Sequence, residues 1–370
     1  MPKITFQGKE FAFPAAALGG TKEQPRLKPA DELLLNWLAD QPEAPLAIYH
    51  DREGVLATCC YTRDRQLVAD NVKHNQAAME LLLNVAHPGR RLPVIVDPLQ
   101  PLAADRELIL LQVPKTPDLF ELYLAGIAAT AGPRRRVAAA FQTRHFSPKI
   151  LEIAGRYAQD VSQSRAYKKA RLLYLNDLTP GKIPEELYYQ LSFNGRTYYQ
   201  YYGVFSANHI DYATQFLLEE WATNHLLNKL PTPATILDIG CGNGVIIDQL
   251  AQRYPKARLF GSDVSQVAIS STAQNNPHVT VHRSANLSFA APQSLDLIVT
   301  NPPFHDGHRN AIGPTLELFR EAREKLTEKG HLVLVANRHL NYATHLDKLF
   351  SEVIEVAENK KFVVYRCGQE

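Results

Sequence analysis

Residues 234–251 constrain the fold more than any other stretch of the chain. Ala234-Thr235-Ile236-Leu237-Asp238-Ile239 is an apolar run of strand length. It passes directly into Gly240-Cys241-Gly242-Asn243-Gly244, and then into Val245-Ile246-Ile247-Asp248-Gln249-Leu250-Ala251, which has helical spacing. Strand, glycine turn and helix in that order bring a backbone close to a ligand. A second strand is expected over Ala257 to Ser262, ending in Asp263. An acid at that distance from the turn suits acceptance from the two hydroxyls of a ribose. The spacing is GxGxG, not the GxGxxG of dinucleotide binders, and no Walker lysine follows. A nucleoside carrying a small amino-acid tail fits better, so the expected cofactor is S-adenosylmethionine. Gly240, Gly242, Asn243 and Gly244 would line it and Asp238 would face its amino-acid end. Asn286, after the expected strand Val279-Thr280-Val281-His282, is either a reader of the adenine edge or a simple turn residue.

A fourth buried strand, Leu295-Asp296-Leu297-Ile298-Val299, leads to Asn301-Pro302-Pro303-Phe304. This sequence suits an exocyclic amine on a planar group. Such a nitrogen is a poor nucleophile because its lone pair is delocalised. Two acceptors aimed at its protons draw it toward sp3 geometry. The Asn301 side-chain oxygen and the Pro302 carbonyl can be those acceptors, on a backbone stiffened by proline. Phe304 offers a face on which a base can stack. A helix is expected from Thr315 to Lys325, with Leu316, Phe319, Ala322 and Leu326 on one face, closed by Lys329-Gly330. The strand His331 to Ala336 follows, then two strands, Val353 to Ala357 and Phe362 to Tyr365, joined by a polar turn. A tight connection forces antiparallel pairing. The expected fold is therefore α/β: a parallel sheet finished by an antiparallel hairpin, the Rossmann-like architecture of class I methyltransferases.

Residues 107–156 echo residues 296–350. Leu108 to Lys115 stands where Leu297 to Phe304 stands, and Arg136 to Phe146 parallels Leu332 to Leu340. The N-terminal half is read as a second, degenerate copy of the same fold. Its first strand, Pro45 to Tyr49, runs into His50-Asp51-Arg52-Glu53-Gly54, with one glycine instead of three. Its fourth ends in Gln112-Val113-Pro114-Lys115. Residues 130–171 carry ten basic residues against two acidic ones. Arg134, Arg135, Arg136, Lys168, Lys169 and Arg171 are the candidate RNA contacts, with an ordinary solvated surface as the plain alternative. Two domains are expected, 1–180 and 188–370, with Asp177 to Lys182 as linker. A hairpin turning at Asn194-Gly195 opens the second. Phe205, in Gly203-Val204-Phe205-Ser206, is either a lid on the cofactor or plain core.

With 45% hydrophobic and 21% charged residues and a net charge of +2, the composition is that of a globular protein. No apolar run approaches the roughly 18 residues of a membrane span, and no signal-peptide core is present, so a cytoplasmic location is expected. Cys59, Cys60, Cys241 and Cys367 have neither metal nor disulfide spacing and are read as reduced thiols; no metal is expected.

These motifs together resemble the bacterial ribosomal RNA guanine-N2 methyltransferases that carry two tandem methyltransferase-like domains, the first degenerate. The resemblance rests on Val113-Pro114-Lys115-Thr116, Lys168-Lys169-Ala170-Arg171, Gly203 to Ser206, Asp238 to Gly244, Asn301 to His305, Val335 to Leu340 and Asn359 to Phe362. It implies methylation of a guanine N2 in ribosomal RNA, with the base flipped out to reach Asn301. Ala336 to Leu340 and Ala30-Asp31-Glu32 are similar to the group acting on 23S RNA. Phe304-His305-Asp306-Gly307 is more like the group acting on 16S RNA. The large-subunit group is favoured. The chemical alternatives are adenine N6 and a protein glutamine, and a non-enzymatic RNA-binding module is the rival from another class. Ribosomal RNA is the expected partner, with no obligate protein partner. His305 is either an aid to proton loss or a surface histidine. Arg338 and His339 either touch RNA or, for Arg338, form an ion pair.

Overall fold

The structure, a computed structural model, describes residues 1–85, 89–223, 230–302 and 313–368. It divides into two compact units, Met1–Tyr188 and Tyr189–Glu370.

In the first unit, seven strands form one sheet: Leu46–Tyr49, Arg65–Val68, Val94–Val96, Leu108–Gln112, Arg136–Gln142, Ala158–Gln163 and Ala170–Leu178. Numbered along the chain, they lie in the order third, second, first, fourth, fifth, seventh, sixth. The first five run parallel. The last two pair antiparallel. In the second unit the strands are Thr235–Ile239, Arg258–Asp263, Thr280–Arg283, Leu295–Thr300, Leu326–Asn337, Glu352–Glu358 and Phe362–Gly368. Their order is the same, with the same parallel and antiparallel partners. The internal repeat read from the sequence is thus a repeat of topology. Both units are Rossmann-like sheets.

Alternation inside the strands explains the layers of the second unit. Ile236, Leu297, Val299, Val333 and Val335 pack on one side, with Leu217, Ile247 and Leu250. Leu237, Ile298, Leu332 and Leu334 pack on the other, with Phe319 and Leu346. A sheet covered on both faces needs near-continuous apolar strands, which is why these runs were legible. One boundary differs from expectation. The Gly313–Lys325 helix is followed at once by a strand beginning at Leu326, not at His331. Leu326 pairs with Leu295, and the register then shifts before Leu297 meets His331. Gly330 sits in this irregular stretch because a Cβ there would lie 2.8 Å from the Leu295 carbonyl oxygen.

The expected hairpin forms from Tyr188–Phe193 and Arg196–Tyr201. Asn194 and Gly195 both have positive φ, 48° and 73°, as a type I′ turn requires. The second strand of this hairpin is fastened to the Gln266–Asn275 helix. The Asn275 carboxamide accepts from the Tyr199 N–H and donates to the Tyr199 carbonyl, and the Ser271 hydroxyl accepts from the Tyr201 N–H. No helix among the described residues is long and apolar enough to cross a membrane.

Candidate active site

The first and fourth strands of the second unit are neighbours, and the chain turns in opposite directions from them. Ligands of open α/β sheets lie at such a point, beyond the carboxyl ends of the strands. After Ile239 the turn is left-handed at Gly240, Gly242 and Gly244, with φ of 71°, 56° and 79°. Gly244 also has no room for a side chain. A Cβ there would stand 2.5 Å from Asn276 Nδ2 and 3.1 Å from Thr272 Cα. At Gly240 and Gly242 the Cβ direction meets nothing closer than 3.9 Å, so these two residues leave an open cradle.

Three acidic or amide residues belong to that turn or adjoin it. Asp238 is fully buried, and neither carboxylate oxygen has a hydrogen-bond partner among the described residues. Burial, and then the charge of Asp263, push its pKa up to about 8; the Ile247 N–H, which pulls the other way, falls short of hydrogen-bond geometry. Asp263 accepts from the Gly242 N–H at 3.2 Å and the Ser265 N–H at 2.9 Å. Burial raises its pKa as well, against these backbone donors. It therefore shapes the glycine turn in addition to facing the site. Asn243 is buried and donates to Gln200 Oε1 at 2.8 Å.

Asn301 ends the fourth strand. Its Nδ2 donates to Asp211 Oδ2 at 2.8 Å and to Thr214 Oγ1 at 2.9 Å. Its Oδ1 is buried and has no partner among the described residues. Pro302 beside it is buried. Pro303, Phe304 and His305 lie outside the described residues, and so do the expectations placed on them. Sequence reading missed Asp211 and Thr214. Asp211 ahead of a helical stretch carries an N-cap signature, and it does cap the Tyr212–Thr223 helix by accepting from Ala213 N and Thr214 N. Nothing in the local sequence ties that cap to an asparagine ninety residues further on. Gln200 was missed too. It is buried, donates to the carbonyls of Ser206 and Ala207 at 2.9 and 3.1 Å, and so links the Gly203–Ser206 segment to Asn243.

Two expectations from the sequence narrow here. Phe205 is not core: it is 70% exposed. Its neighbour Val204 reaches to 4.0 Å from the Cβ direction of Gly242, so the segment borders the glycine turn. Asn286 is exposed and behaves as a turn residue, its Oδ1 accepting from Ser288 N at 3.2 Å.

The basic stretch of the first unit separates into two places. Arg134 and Arg136 stand at the start of the fifth strand, and Lys168 and Lys169 beside its end, where Gln142 pairs with Ala170. Seven residues of strand place them about 20 Å apart. Arg135 does not belong to a phosphate-binding surface, contrary to expectation. It is 2% exposed, and its guanidinium donates to the carbonyls of Arg106, Ala103 and Ile127 at 2.7, 2.7 and 2.5 Å. It stands just ahead of the strand that begins at Arg136 and is turned inward between exposed Arg134 and Arg136. Arg134 is exposed and pairs with Glu107, Lys168 is exposed and lies 3.5 Å from Glu32, and Arg171 reaches Gln163. In the second unit, Arg338 forms the ion pair, with Glu358 at 3.1 Å.

Comparison with known proteins agrees with this geometry. The Methyltransferase small domain model matches residues 196–366, and the RLMG N-terminal domain model matches residues 22–179. Ribosomal RNA large subunit methyltransferase G of Pseudomonas fluorescens is 32% identical, covering 91% of this chain and 92% of that protein. The chain belongs to the ribosomal RNA large subunit methyltransferase G family. The Klebsiella pneumoniae member is 30% identical over 91% of the chain and 90% of its own length. Among solved structures, a T. thermophilus 16S rRNA N2 methyltransferase in complex with AdoMet and guanosine superposes with a TM-score of 0.77. At 19% identity, covering 100% of this chain and 98% of that one, it shows a shared fold.

Proposed function

We propose that this family member methylates the exocyclic N2 amine of a guanine in 23S ribosomal RNA, with S-adenosylmethionine as the methyl donor. The observation that carries the reading is the Asn301 carboxamide. Its NH2 end is committed to Asp211 and Thr214, which leaves a buried oxygen without a partner among the described residues. An aromatic amine is a donor that lacks only such an acceptor. The Pro302 carbonyl supplies the second, and Phe304 the stacking face.

S-adenosylmethionine, when bound, supplies a methyl group already activated on a sulfonium. The residues present fit it. Gly240 and Gly242 leave room beside the backbone, Asp238 is a buried carboxylate with neither oxygen satisfied, and Asp263 keeps spare lone pairs for a ribose. Asn243 and Gly244 belong to the same turn, and the segment that carries Phe205 borders it through Val204. The protein's share is alignment of the amine, since no strong base is needed once the nitrogen is alkylated. The second unit is the catalytic domain. The first, lacking the glycine turn, holds RNA through the exposed residues Arg134, Arg136, Lys168 and Lys169, together with the half-buried Arg171. Ribosomal RNA as substrate fits a cytoplasmic protein.

Nucleoside mapping of ribosomal RNA from cells lacking the protein tests the target. One N2-methylguanosine is expected to vanish from 23S RNA. Its loss from 16S RNA instead, the substrate class named for the T. thermophilus structure, would reassign the subunit. Loss of a methyladenine from the same map, or of a methylglutamine in mass spectra of the cells' proteins, would reassign the amine. Asn301→Ala is expected to abolish multiple-turnover methyl transfer, leaving only a residual single-turnover rate, and to leave S-adenosylmethionine affinity largely intact; near-normal turnover by that variant would overturn the mechanism.

A further inference from the structure

The two ends of a carboxamide are almost the same size, so an asparagine can present either its oxygen or its NH2 to a substrate. Only the oxygen accepts from an amine. Something must hold Asn301 the right way round. We propose that Asp211 is that positioning residue, and that it acts on the reaction through Asn301 alone. This rests on the role given above to Asn301.

The geometry is one-sided. Asp211 Oδ2 receives Asn301 Nδ2 at 2.8 Å, and a carboxylate has nothing to donate. Turning the amide over would set oxygen against oxygen there. Thr214 Oγ1, at 2.9 Å, receives the second N–H. Asp211 is itself fixed, because the same oxygen accepts from Ala213 N at 2.9 Å and Thr214 N at 3.2 Å at the start of the helix. The helix start is thereby made into a fixed reference for the orientation of a side chain on another element.

The first unit repeats the arrangement independently. Register places Gln112 where Asn301 stands, since Leu111 pairs with Tyr49 as Thr300 pairs with Ile239. Gln112 Nε2 donates to Asp31 Oδ1 at 2.5 Å, and Asp31 lies in the first turn of the Pro29–Ala39 helix that precedes the sheet. A carboxamide at the end of the fourth strand is oriented in both copies by a carboxylate at the start of the preceding helix. The copies differ at the other end of the amide. Gln112 Oε1 accepts from the Arg52 N–H at 3.3 Å, whereas Asn301 Oδ1 has no partner among the described residues. The orienting bond persists where the chemistry is absent, but the presented oxygen is open only where the chemistry is expected.

The test uses the full chain, labelled S-adenosylmethionine, and deproteinised ribosomal RNA from cells lacking the protein. Asp211→Ser keeps a helix cap but is too short to reach Asn301. Asp211→Asn keeps an acceptor at the same reach. Loss of a charge-assisted hydrogen bond predicts a fall in kcat of about 10- to 100-fold for Asp211→Ser. S-adenosylmethionine affinity and melting temperature should stay near wild type, and Asp211→Asn should restore kcat to within a few-fold. In single-turnover measurements on the Asn301→Ala background, adding Asp211→Ser should cost little more, because the two act as a unit. Full activity of Asp211→Ser, equal damage by Asp211→Asn, or additive losses with Asn301→Ala would each overturn the proposal. If Asn301→Ala itself kept full activity, the role of Asn301 would fail first.

Discussion

Replacing Asp238 by asparagine should raise the stability of the ligand-free second unit at pH 8 and weaken its pH dependence. In the folded protein the carboxyl is buried and its pKa is pushed from 3.8 to about 8, first by burial and then by Asp263. The unfolded chain returns it to an ordinary value near 3.9. Below about pH 4 it is protonated in both states and contributes nothing to the difference. Between about pH 4 and 8 the folded state holds the proton that the unfolded state has released, so stability falls as pH rises. Above about pH 8 the full penalty is present. Four units at about 1.4 kcal/mol each set an upper bound of ~6 kcal/mol. Relaxation and coupling to Asp263 reduce this to about 2 kcal/mol. For a domain of this size that is a melting-temperature rise of about 4–8 °C at pH 8. The assay is thermal denaturation of wild type and Asp238→Asn, without ligand, from pH 5 to pH 8.5. Melting curves should converge at the acid end and separate toward pH 8. Calorimetric titration with S-adenosylmethionine adds a second reading. If the ionised carboxylate meets the ammonium of the ligand, wild-type affinity rises with pH up to about 8, and the asparagine variant binds weakly at every pH. Equal melting temperatures at pH 8, or a wild type whose affinity ignores pH, would refute the reasoning.

Two further outcomes follow from the same geometry. Gly244→Ala should destabilise the second unit by about 2–5 kcal/mol, combining a left-handed φ with a clash against Asn276 and Thr272, as chemical denaturation would measure. Arg135→Met should cost the first unit about 2–4 kcal/mol by leaving buried carbonyls without donors, whereas Arg134→Ala should leave melting unchanged and weaken RNA binding in a salt-dependent manner.

Most of the fold was legible because it is written in local signals. Buried strands are apolar along their whole length, the glycine turn is contiguous, and Asn194-Gly195 names its own turn type. The repeat was legible at the level of strand ends, and register confirms the match of Gln112 with Asn301. What escaped was relational. Arg135 reads as one of three surface cations, and only the fold shows it turned inward to the carbonyls of Arg106, Ile127 and Ala103. The Leu326 boundary was hidden because a register shift at Gly330 has no pattern in a periodicity. Asp211, Thr214 and Gln200 matter through side-chain bonds to residues far along the chain, and spacing carries no record of such partners. Asn286 had two readings in the sequence, and the turn it closes is the one the structure displays.

The paired copies also bear on what a working site demands of its scaffold. At one place in the sheet the first unit closes what the second leaves open: the Gln112 amide is satisfied at both ends, and His50, with a side chain, takes the left-handed position held elsewhere by Gly240. The second unit keeps Asp238 and the Asn301 oxygen unsatisfied in the same backbone frame. At the end of the fourth strand, one duplicate holds an amide satisfied at both ends and its sibling holds one left open at its oxygen. The satisfied Gln112 amide is therefore an internal control, within a single chain, for the cost of holding the Asn301 oxygen open.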